Sequence, residues 1–106
     1  MADRAIAHAM ETAGRAVTPT DRSGTVTAGG TAQVLAAANG NRTGFWVQNN
    51  SAGDLWISSV GDAAAAPPSL RITAGSLYES PMHGAPVAAI SVFGAATGQA
   101  FSAREW

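Results

Sequence analysis

From Val17 onward the chain runs in short alternations of apolar and polar residues, broken by residues that favour turns. The runs at 23–27, 31–35, 44–49, 54–59, 69–73, 76–79, 88–94 and 100–105 each read as a strand. Gly29-Gly30, Asn39-Gly40-Asn41, the Asn50–Gly53 break, Ala74-Gly75 and residues 95–98 supply the turns, because Gly and Asn tolerate positive φ. Residues 63–68 read as a loop, since Pro67-Pro68 cannot donate to a ladder, and 81–86 read as another. About eight short strands with links too brief for crossover helices predict an all-β fold. The expected architecture is a small antiparallel β-sandwich, jelly-roll-like, or a barrel.

Residues 1–14 follow a different pattern. Ala5, Ile6, Ala9 and Met10 have the spacing of a weak amphipathic helix, with Asp3 in its first turn and Gly14 at its end. A segment this short is marginal alone in water, so it is either a frayed tail or an arm that gains order by docking. The expected organisation is an N-terminal arm over 1–20 and a single β domain over 21–106.

Within the strands, alternation separates two faces. Phe45, Val47, Leu55, Ile57, Leu70, Ile72, Ile90, Val92 and Phe101 form the expected core. Trp46 and Trp56 then fall on the second face, beside Gln48 and Asn50. If the two strands form a hairpin across residues 50–53, both indoles share one outer face. Three readings follow: cover for a sheet edge, a subunit interface, or a platform for a sugar with Gln48 and Asn50 as hydrogen-bonding neighbours. The interface reading selects Trp46, Trp56, Trp106 and Gln48. Trp106, the last residue of the sequence, would fray unless tied into a sheet or a neighbour.

Composition narrows the function classes. Asp, Glu, Lys and Arg make up 12% of residues, against about 25% in a typical domain. With a formal charge of −1, no basic stripe exists to displace counterions from nucleic acid or to hold an anionic membrane. Much of the 46% apolar content is alanine, which buries little area, and the chain carries 12 glycines. A thin core and a weakly charged surface favour burial against copies of the chain or a larger assembly. There is no cysteine, which excludes disulfides and thiolate chemistry. The N-terminal stretch lacks the continuous apolar run of a signal peptide, so folding in the cytoplasm of the producing cell is expected.

Candidate chemistry is sparse. The two histidines are His8, in the arm, and His83, four residues after Glu79. Ser76 or Ser80 with His83 and Glu79 would supply the residue types of a Ser-His-Glu set, without a nucleophile-elbow context. No zinc-protease, calcium-loop or phosphate-loop motif is present. The expectation is no enzyme, no cofactor and no dedicated metal site; His83 could meet a metal only through symmetry-related copies.

Three stretches, 21-DRSGTVTAGGTAQVLAAANGNRTGFWVQNNSAGDLWIS-58, 69-SLRITAGSLYE-79 and 90-ISVFGAATGQAFSAREW-106, resemble small virion proteins of tailed bacteriophages, including prophage and gene-transfer-agent relatives. The resemblance implies a non-enzymatic, β-rich virion component present in many copies, as a capsid decoration, neck, tail, head-fibre or fibre-base protein. Its implied partners are copies of itself and other capsid, neck or tail proteins, with no nucleic acid and no membrane. Its implied location is the virion, after synthesis in the host cytoplasm. The alternative reading is a glycan-binding module of a fibre or spike.

Overall fold

The computed structural model describes residues 17–106; the expected helix over 1–14, with His8, lies outside the described residues. Nine strands form in chain order: β1 (Thr20–Asp21), β2 (Gly24–Thr25), β3 (Gln33–Ala36), β4 (Phe45–Asn49), β5 (Leu55–Ser58), β6 (Leu70–Ile72), β7 (Leu77–Glu79), β8 (Ile90–Gly94) and β9 (Ala100–Glu105). No helix occurs among the described residues.

The strands build two antiparallel sheets, an arrangement consistent with a sandwich. One is five-stranded, ordered β1-β9-β4-β7, with β2 also paired to β9. The other is four-stranded, ordered β3-β8-β5-β6. Each order is open-ended, so the barrel alternative is not realised among the described residues.

The hairpin expected across residues 50–53 does not form. β4 belongs to the five-stranded sheet and β5 to the four-stranded one, so this link passes between sheets. The reason lies in the inward phase of β4, where Asn49 follows Phe45 and Val47 into the interior and is fully buried. Its Nδ2 donates to the carbonyls of Gly53, at 2.7 Å, and Ile72, at 2.8 Å. Its Oδ1 accepts from the Ser51 amide at 2.8 Å and the Ser51 hydroxyl at 2.7 Å. These bonds satisfy the backbone polar groups that a change of sheet takes out of ladder pairing. The links β6–β7 and β8–β9 also pass between sheets, while β5 and β6 remain paired neighbours.

Between the sheets lie Phe45, Val47, Leu55, Ile57, Ile72, Ile90, Val92 and Phe101, joined by Val26, Leu35, Ala36 and Ala103. Leu70 departs from the expected core: it shares the phase of Ile72 but is 51% exposed. β6 is an edge strand, and its first residue stands where the two sheets part.

Candidate functional site

The outer face of the five-stranded sheet is ordered by register. Trp46 on β4 sits between Arg104 on β9 and Glu79 on β7, and Asp21 on β1 lies opposite Arg104. The Arg104 guanidinium lies over the Trp46 ring, 5.2 Å from its centroid, a cation–π contact. In the next row Gln48 sits between Ser102 and Leu77, and Asn50 donates to the Ser102 hydroxyl at 2.7 Å. Leu77 is exposed although apolar. The Asp21 carboxyl is held below its usual range by hydrogen bonds from the side chain and backbone of Ser23, with a smaller contribution from Arg104. The row therefore carries charge of alternating sign around a half-buried indole.

Trp56 projects from the opposite outer face. On the four-stranded sheet it stands between Arg71 on β6 and Phe93 on β8, with Val34 exposed on β3. The rest of this face is covered from outside: the Ala63 amide donates to the Ser91 hydroxyl at 2.9 Å, and Ser58, Ala63 and Ser91 are all buried. Trp46 and Trp56 therefore do not share a face, because their strands lie in different sheets and each projects away from the shared core. A single flat partner cannot engage both.

Trp106 is tied to its own chain. Its carbonyl accepts from the amides of Thr43, at 2.6 Å, and Gly44, at 3.0 Å, and its amide donates to the Gly44 carbonyl at 3.1 Å. The indole lies so close to the Gly44 Cα that any Cβ there would collide with it. Trp106 remains half-buried and lines a cleft of about 850 Å³ with Arg42, Glu79, Ser80, Met82 and His83.

That cleft holds three residue types of the Ser-His-Glu set without joining them. Ser80 is buried, and its hydroxyl accepts from the Phe45 amide at 3.0 Å. Ser76 is bonded to Thr73 at the other end of β7, 2.7 Å between hydroxyls. Among the described residues no group of three His, Asp or Glu side chains could hold a metal ion.

The strongest electrostatic feature was hidden from the strand pattern. Glu105 follows Phe101 and Ala103 inward and is buried. Arg42 Nε donates to its Oε1 at 2.7 Å, Arg22 Nε to its Oε2 at 2.5 Å, and Asn39 Nδ2 to Oε1 at 3.3 Å. The rest of the buried Arg42 fork donates to the carbonyls of Pro86 and Ala88, at 2.6 and 2.9 Å, and of Ala37, at 2.7 Å. Burial pushes the Glu105 carboxyl up, but the hydrogen bonds from Arg42, Arg22 and Asn39 and the charge of Arg42 outweigh it and hold the group below its usual range. This network clamps three segments at one end of the domain, and its internal saturation makes it architectural. Period-two spacing from Phe101 gives Glu105 its inward phase; Arg42, in a loop, carries no periodic signal.

Comparisons with family models, with curated proteins and with solved structures find no match to this chain.

Proposed function

We propose that the chain is a non-enzymatic structural component of a phage-like particle, a capsid-decoration, neck or fibre-base protein that works through contacts with its own copies and with other virion proteins. The observation that carries this reading is the pair of outer faces. Each presents a half-buried tryptophan with a further exposed or half-exposed apolar side chain on the same face, Leu77 in the row after Trp46 and Phe93 beside Trp56. Aromatic anchors of this kind dominate protein interfaces. The phage-protein resemblance of the sequence points the same way. Counting β1 and β2 as one strand, the orders β1-β9-β4-β7 and β3-β8-β5-β6 support a jelly-roll reading of the sandwich. That architecture recurs in viral capsid and lectin domains, a likeness of fold alone. On this reading the protein is made in the host cytoplasm and resides in the virion.

Light scattering over a tenfold concentration range tests it. The expected result is a stable oligomer, which Trp46→Ala or Trp56→Ala reduces to monomers that keep the wild-type circular dichroism. A strict monomer at every concentration overturns self-assembly.

The rival reading, a glycan-binding module, draws on Gln48, Asn50 and Ser102, which place amide and hydroxyl groups beside Trp46. Arg104 over the indole counts against it, since a stacked sugar would compete with the guanidinium. Glycan binding lost in Trp46→Ala with the oligomer intact would favour the rival.

A further inference from the structure

The sandwich parts at one end, between the start of β6 and the end of β7. There an apolar cavity of about 210 Å³ opens between the sheets. Phe45 and Ile90 form its floor and are fully buried, and Ile57 and Tyr78 wall it from the two sheets. Leu70, 51% exposed, and Val60, 72% exposed, stand at its mouth. None of the lining residues is Asp, Glu, Lys, Arg or His. Ser58 also lines the cavity, but its hydroxyl is on the outer phase of β5 and accepts from the Val60 amide at 3.2 Å. Tyr78 and Ser59 bring the remaining side-chain hydroxyls.

We propose that this cavity is a binding site for a small uncharged molecule, a single aromatic ring or compact aliphatic group bearing at most one hydroxyl or N–H. Size and chemistry both lead there. An apolar cavity of about 150 Å³ is large enough to take up benzene, so this one accommodates a ring up to the size of indole. Displacing poorly held water from such walls favours an apolar occupant, while a charged one would lose its hydration with no counter-charge in the lining. Two sides of the cavity are also anchored by hydrogen bonds. The Pro86 wall is fixed through its carbonyl to buried Arg42 at 2.6 Å, and the Phe45 amide is fixed to the Ser80 hydroxyl at 3.0 Å. These bonds fix the Pro86 and Phe45 sides of the site before any ligand arrives.

The site is tested by titrating the full chain with indole and, in parallel, with benzoate, following the methyl resonances of Ile57, Leu70 and Ile90. Indole should give saturable shifts with a Kd of roughly millimolar order, as befits so small a ligand. Benzoate should give none. Leu70→Trp places a ring at the mouth of the cavity on an exposed edge position; it should leave the spectrum otherwise folded and weaken indole binding at least tenfold. No saturable shift in the wild type, equal binding of benzoate, or unaltered affinity in Leu70→Trp would each overturn the assignment. So would a dilution series in which the same methyl groups shift without ligand, because a second copy of the chain would then fill the cavity.

Discussion

Arg42→Ala is expected to cost the domain about 3–5 kcal/mol, the usual penalty for leaving one member of a buried ion pair behind. Against a total stability of about 5–15 kcal/mol this is close to unfolding. The loss has two parts. Glu105 stays buried with only Arg22 and Asn39 to answer its charge, and Arg22 is itself 40% exposed. The carbonyls of Ala37, Pro86 and Ala88 also lose a charged donor. Urea denaturation separates the parts: the double variant Arg42→Met/Glu105→Leu should regain the charge component and leave the carbonyl component lost. A single variant within about 0.5 kcal/mol of wild type, as for an ordinary surface site, would show that the network contributes nothing. The network also sets a pH dependence. The folded carboxyl of Glu105 titrates below its unfolded counterpart, so its stabilisation is complete above the ordinary glutamate range and drains away as pH falls through the folded value. Glu105→Gln should lower stability at neutral pH and flatten that acid limb.

The second large effect is expected at Asn49. Asn49→Asp changes almost no volume, yet turns the donor facing the Gly53 and Ile72 carbonyls into an acceptor. Each buried group left unsatisfied costs about 1–3 kcal/mol, and a buried negative charge facing two carbonyls adds to that. The loss should exceed that of Asn49→Ala and should shrink on acidification. A protonated carboxyl can donate again, and its pKa in the folded variant is pushed up by burial and by the carbonyl dipoles. Chemical denaturation of both variants at neutral and mildly acidic pH checks the order and the sign. Equal losses at both pH values would mean that the side chain only fills space.

The two sites show what sequence patterning conveys. Period-two alternation placed Phe45, Val47, Leu55, Ile57, Ile72, Ile90, Val92 and Phe101 inward and both Trp46 and Trp56 outward. It does not specify which sheet a strand joins. A strand reads the same whether the following link makes a hairpin or passes across the core, and only the hairpin would put Trp46 and Trp56 on one face. Leu70 illustrates a related gap: its phase is inward, but only the topology reveals that β6 forms an edge. For polar residues the phase was visible and its meaning was not. Asn49 and Glu105 both sit on apolar phases, and each is buried because its partners come from distant loops. The candidate faces were thus legible as outward aromatics, whereas the apolar cavity was not, because it depends on how far the two sheets diverge.

The position of β9 has a consequence for how the chain reaches this state. Among the described residues β1 and β2 pair only with β9, and β4 pairs with β9 and β7, so a strand far along the chain from β1 and β2 is the axis of the five-stranded sheet. β1 and β2 therefore stay unpaired within this sheet until β9 joins them. Long-range pairing of this kind is slow, because the entropy of closing the whole chain is lost before any ladder repays it. The β4–β9 ladder is therefore expected to form late, which leaves Phe45, Val47 and their neighbours accessible to chaperones or to other copies while β9 is unpaired.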